Sequence, residues 1–360
     1  MMQRLQLVVL VACAIAASVA TFFGTRALVS HGVESVVVPF VTASVVGIGL
    51  GSIWHLLLGA VPKAQGTGTK AALSVLAGVL FLVAAAVSAW FVATAISGNT
   101  AVRTHMGEQI AQYRTALATA HSNVLVEQNV LAELTGSAAA FRSMADAEQQ
   151  SGRLSGTKGE GAVVDRLRRV ADVYDGLARE GRAVRDQADQ FQHAGALALR
   201  QMDEIVSVAE TSAVAQKRFA EAVGELQQAI TQLQALSILP GIRRAGVVDV
   251  SATGLNPGQR RAMDNLQAEL RQHAERLGQS VDALQRQKRP VQVISYRPMG
   301  PGEAVLEYGD RVVAGWAVGI GIDVLPLLLF VLLLISANDR LAQVQATESD
   351  NRRLQVVGND

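Results

Sequence analysis

The chain has 360 residues, a formal net charge of +1, 50% hydrophobic residues and only 18% charged ones. That balance offers no basic face for nucleic acid, and a mean hydropathy of +0.26 divides the sequence into lipid-facing and wet parts. The one cysteine, Cys13, excludes an intramolecular disulfide and any cysteine-based metal site.

Four apolar runs read as membrane spans. The first, Leu5–Thr25, follows Arg4. Leu10-Val11-Ala12-Cys13 resembles a bacterial lipobox and Ser18-Val19-Ala20 a signal-peptidase site, but the apolar run continues through Phe22 and Phe23, which favours a retained span. The second run is Ser35–Val61 and the third Ala71–Ser97. The fourth, Val312–Ser336, carries one charge, Asp323, and is long enough to cross a hydrocarbon core of about 30 Å as a helix. These runs divide the chain into a three-span region (1–97), a wet segment (98–311), a fourth span (312–336) and a tail (337–360).

Lys and Arg in the short segments set the orientation. Arg4, Lys63, Lys70, Arg340, Arg352 and Arg353 fall on one side if the spans alternate, whereas the other short loop offers only Arg26 with Glu34. Both termini are therefore expected in the cytoplasm and residues 98–311 outside. The alanine- and arginine-rich usage fits a bacterium; in a Gram-negative host the outer segment is periplasmic and the membrane the inner one. Trp90 and Trp316 sit at the outer span ends, where interface anchors belong.

The outer segment is written for helices. Ile110, Leu117, Val124 and Leu131 recur every seven residues. After a stretch with Gly152, Gly156, Gly159 and Gly161 comes a longer ladder: Val163, Val170, Leu177, Val184, Phe191, Ala198, Ile205, Ser212, Phe219, Leu226 and Leu233. All but Ser212 are apolar, and a strict seven-residue repeat is the coiled-coil pattern. Leu239-Pro240-Gly241 closes it, and a loop over 241–257 follows. Met263, Leu270, Leu277 and Leu284 mark another helix, stopped by Pro290, with short extended pieces at Val291–Tyr296 and Glu303–Tyr308. A straight ladder helix would reach roughly 110 Å. A chain that returns to the same membrane needs either a break near Gly195, the preferred reading, or an extended return over residues 290–310. The expected fold is all-α: four transmembrane helices carrying an antiparallel helical bundle.

Candidate chemistry centres on Asp323. A carboxylate inside a span is a functional hypothesis by default, because it costs at least a few kcal/mol unless paired, wetted or protonated. Gly315, Gly319 and Asp323 are four apart and share a face that lets another helix approach. Pro326 frees a backbone carbonyl nearby. The alternative is a neutral acid that hydrogen-bonds across a packing seam. His55 lies on a second small-residue face with Gly47, Gly51 and Gly59. It sits about 12 Å deeper than Asp323 along its own span, so it reads as an interfacial residue with a relay role second.

Ser155–Gly161 lacks the Gly-Lys-Ser/Thr ending of a phosphate loop and reads as a turn. No H-E-x-x-H, G-x-S-x-G or C-x-x-C occurs, and His105, His121, His193 and His273 lack metal-ligand spacing. No metal, cofactor or catalytic activity is expected. In outline the layout resembles a bacterial chemoreceptor, but about 24 residues follow Ser336, where chemoreceptors carry a large cytoplasmic output domain. The leading expectation is a non-enzymatic inner-membrane protein that assembles with itself or with envelope partners through residues 163–237. The rivals are an ion- or proton-coupled channel, transporter or stator-like subunit built on Asp323, and a sensor relaying to a separate cytoplasmic protein.

Overall fold

A computed structural model describes residues 2–29, 34–59, 67–208, 213–245, 256–292, 294–324 and Leu328. Every regular element among them is helical: α1 (Met2–Leu28), α2 (Glu34–Gly59), α3 (Thr67–Glu127), α4 (Leu131–Ser151), α5 (Ala162–Ser207), α6 (Ala213–Ala235), α7 (Leu239–Ala245), α8 (Pro257–Gln287) and α9 (Pro301–Glu307). A tenth helix, α10, covers Val313–Val324. One 3₁₀ turn, Gln128–Val130, joins α3 to α4, and another, Gly309–Arg311, follows α9.

The local chemistry explains several boundaries. Gly152 ends α4 with φ +64°, and its N–H returns to the Glu148 carbonyl at 2.7 Å. A methyl group there would lie 2.7 Å from the Thr157 backbone, so both the backbone angle and the space demand glycine. Asn256 starts α8 with a reciprocal capping box. Its side chain accepts from the Gln259 N–H at 2.7 Å, and Gln259 Oε1 accepts from the Asn256 N–H at 3.1 Å. Pro257 occupies the first turn, where its missing N–H costs nothing.

Three sequence expectations need correction. The ladder helix does not break near Gly195: α5 runs unbroken from Ala162 to Ser207, with Val208 extended. The Leu117 and Leu226 methyls fill the place of the missing Gly195 side chain, which keeps that residue inside the helix. Leu239–Gly241 opens the short helix α7 rather than a loop, and Glu303–Tyr308 falls mainly in α9 rather than in an extended piece. In each the proline sits at the N-terminal end, the position a helix tolerates.

The chain divides into two compact units. One contains residues 1–106, 209–213 and 298–360, the other residues 107–208 and 214–297. In the first unit α1 packs along α2. Two of its helices, α2 and the apolar part of α3, are long and apolar enough to cross a membrane. Its outer faces are apolar: Phe40 is 67% exposed, Ile48 71% and Leu82 67%. Thr21, Thr25, Ser88, Thr94 and Asp323 are buried inside it, the reverse of a water-facing arrangement.

The second unit has a core of its own. Leu134, Phe141, Val163, Leu167, Val170 and Tyr174 join α4 to α5, with Ile242, Leu266, Leu277 and Val281 closing over them from α7 and α8. The ladder side chains are used here. Val163, Val170, Ala198, Phe219, Leu226 and Leu233 are all buried inside this one chain.

Candidate functional site

The first unit holds a cluster of buried polar groups. Asp323, on α10, is 5% exposed. The Ser88 hydroxyl of α3 donates to its Oδ1 at 3.2 Å, and its Oδ2 is buried with no partner among the described residues. Three hydroxyls share that condition: Thr21 and Thr25 on α1 and Thr94 on α3. In a well-packed interior such groups normally find partners, so four without one among the described residues of this unit are unusual.

Glycines bring the helices close enough. A methyl group on Gly319 would sit 2.8 Å from the Ala89 Cα, and one on Gly315 3.2 Å from the Ala93 Cα. The α3–α10 backbones therefore pass nearly in contact, and Asp323 meets Ser88 one turn further along. On α1, a methyl on Gly24 would overlap the Phe91 carbonyl. Thr25 adjoins Gly24, Thr21 precedes it by three residues, and Ser88 and Thr94 flank Phe91 by three on either side. Whichever way the two helices run, all four hydroxyls lie within about 5 Å of that crossing along the helix axes. A buried carboxyl that accepts from one hydroxyl, Ser88, and whose second oxygen has no partner among the described residues can hold a proton or a small cation.

The other predicted residues fall as follows. Gly47 packs on α1, where a methyl would lie 3.4 Å from the Ser18 Cβ. Gly51 has nothing within 4 Å of an added methyl among the described residues. The side chain of His55, the surroundings of Gly59, and Pro326 lie outside the described residues. The Trp90 indole donates to the Gly302 carbonyl at 3.1 Å, which ties α3 to the start of α9. Ser88, Thr21, Thr25 and Thr94 escaped the sequence reading. Their signal was hydroxyls within apolar runs: Thr21 and Thr25 four apart in the first, and Ser88 and Thr94 each one position from the small-residue row through Ala89 and Ala93 in the third.

The second unit contains two buried carboxylates that sequence spacing could not reveal. Glu127 is fully buried and accepts from the Ile238 N–H at 2.8 Å and the Ser237 hydroxyl at 2.9 Å, with the Lys288 ammonium against its Oε1. Glu148 accepts from the Ser155 N–H at 3.0 Å and from the Ser155 hydroxyl, which holds the glycine-rich turn together. Ser137 and His273 stand 2.7 Å apart, a serine–histidine pair at first sight. The proton directions oppose a nucleophile, however. The Ser137 hydroxyl donates to the Glu133 carbonyl at 2.7 Å, so the ring Nε2–H must donate to the serine and no base faces it. The ring Nδ1 accepts from Arg276 at 3.4 Å. Burial first, and the Arg276 charge second, push the His273 pKa below its usual value. Among the described residues no three His, Cys, Asp or Glu side chains gather as a metal site.

No protein-family model, no curated protein and no solved structure matches this chain. The functional reading therefore rests on the residues themselves.

Proposed function

We propose that this chain is a non-enzymatic, four-span membrane protein whose working group is Asp323, a carboxyl that takes up and releases a proton or a small cation inside the bilayer. Both termini lie in the cytoplasm and the helical bundle of the second unit stands outside, in the periplasm of a bacterial inner membrane. The observation that carries the reading is the Oδ2 of Asp323, buried with no partner among the described residues. A purely structural acid would use its second oxygen to close a bond across the seam. The Lys and Arg distribution supports the orientation, and the exposed apolar faces of α2 and α3 support the lipid setting.

Assembly through residues 163–237 drew its support from the heptad ladder. Six rungs of that ladder are buried within the bundle, so the Asp323 reading stands ahead of it.

The test is infrared difference spectroscopy on the protein in lipid bilayers, cycled between acid and alkaline pH and, separately, with and without sodium. A protonated-carboxyl band that follows pH, or a carboxylate band that follows sodium, is expected in the wild type and absent in Asp323→Asn. Asp323→Glu should restore a shifted band. Spectra of wild type and Asp323→Asn that coincide under both cycles would overturn the reading.

A further inference from the structure

A groove in the second unit lies between α3, α6 and the non-helical segment that follows α8. Its volume is about 350 Å³, within the usual range of about 300–1,000 Å³ for small-molecule sites. Its floor is apolar: Ala116 and Ile230 are buried, and so is the ring of Tyr113. Its walls carry amides and hydroxyls from Gln227, Gln234, Gln292, Thr231 and Ser295. No lining residue is charged, although Lys, Arg, Asp and Glu make up 18% of the chain.

Part of the wall is preset. The Gln227 amide donates both to the Tyr113 hydroxyl at 2.9 Å and to the Ile294 carbonyl at 2.9 Å, and the Tyr113 hydroxyl donates to the same carbonyl at 3.2 Å. Burial raises the Tyr113 pKa, so the phenol stays neutral. The amides of Gln234 and Gln292 make no hydrogen bond among the described residues and remain available to a ligand. One turn before Tyr113, on the same face of α3, the Gln109 Oε1 is buried with no partner among the described residues.

This lining selects a chemistry. A charged ligand would lose its hydration and find no counter-charge. A wholly apolar ligand would strand the amides. A sugar ring presents an apolar C–H face and an edge of hydroxyls that both donate and accept. An apolar floor under amide and hydroxyl walls matches both. We propose that this groove is a binding site for a neutral saccharide of one or two rings.

Saturation-transfer NMR on the full-length protein in nanodiscs tests this without sugar-headed detergents. The probes are maltose, N,N′-diacetylchitobiose, the charged sugar N-acetylneuraminic acid and the peptide trialanine. Transfer to at least one neutral disaccharide is expected, with none to the charged sugar. The double variant Gln234→Leu, Gln292→Leu should weaken binding tenfold or more while circular dichroism and Tm stay unchanged. The same change at the exposed Gln187 of α5 should leave binding intact. Transfer to neither disaccharide, undiminished transfer in the double variant, or stronger transfer to trialanine or the charged sugar would each overturn the proposal.

Discussion

His273 sits among rings, with Tyr174 at 5.3 Å and Phe141 at 6.0 Å, both edge-on. With its proton on Nε2 and Arg276 at Nδ1, it is held neutral. The sign of the pH effect follows. A histidine whose folded pKa lies below the unfolded value of about 6.5 is protonated first in the unfolded chain. Its stabilising contribution is fully present above about pH 6.5 and declines as the pH falls through that value toward the folded pKa. Melting curves at pH 7.5 and 5.5 should show a drop in Tm that shrinks in His273→Phe, which keeps the ring contacts and loses the titration. An equal drop in both proteins would mean that another group titrates. Glu127 offers a second residue-scale prediction. Glu127→Gln keeps the shape but leaves the partly buried Lys288 ammonium without its counter-charge, so destabilisation of about 3 kcal/mol is expected in urea unfolding. Adding Lys288→Met should recover part of the loss, and no recovery would place the cost on the Ser237 and Ile238 bonds instead.

At the scale of an element, α5 shows which parts of a helix can be read from sequence. The seven-residue rhythm from Val163 onward marks the buried face, because apolar side chains at that spacing share one side of a helix. Rhythm alone does not say what lies opposite; within this chain the buried rungs pack against α3, α4, α6, α7 and α8. The break was misplaced for a physical reason. Glycine lowers helix propensity by about 1 kcal/mol, which made Gly195 look like a hinge, yet the space it vacates is occupied by Leu117 and Leu226. The better signal was Ser212, the one polar rung, which lies between the end of α5 and the start of α6. Two glycine-to-alanine changes in α5 should therefore move stability in opposite directions. Gly176→Ala meets nothing within 4 Å and should raise Tm, by a gain of about 0.5–1 kcal/mol. Gly195→Ala would place its methyl 2.7 Å from Leu117 Cδ1 and should lower Tm, by a cost of about 1–3 kcal/mol. A rise in both would show that the leucines move aside freely.

For the whole molecule, the sequence shows where apolar runs begin and end, and α1, α2 and α3 start within a few residues of the predicted spans. It could also group Gly315, Gly319 and Asp323, since spacing on one helix is fixed by geometry. Partners on other helices were not legible. Ser88 is 235 residues from Asp323, and nothing in either stretch encodes their relative register. Orientation across the membrane can be tested directly, because Cys13 is the one thiol. In a Cys13→Ala background, Arg153→Cys should react with a membrane-impermeant maleimide in intact cells. Lys63→Cys should react only after permeabilisation. The opposite pattern would invert the topology.

The Glu127 contacts also bear on the order of events during biosynthesis. Its carboxylate accepts from Ser237 and Ile238 and pairs with Lys288, which lies 161 residues further along (288 − 127). At about 5–20 residues per second, the ribosome reaches Lys288 roughly 8–32 s after Glu127. Through that interval α3 is already made, yet the group that neutralises its last residue does not exist. The nascent bundle must keep Glu127 in water until then, so a ribosome stalled before Lys288 should display a carboxylate that the finished protein hides completely.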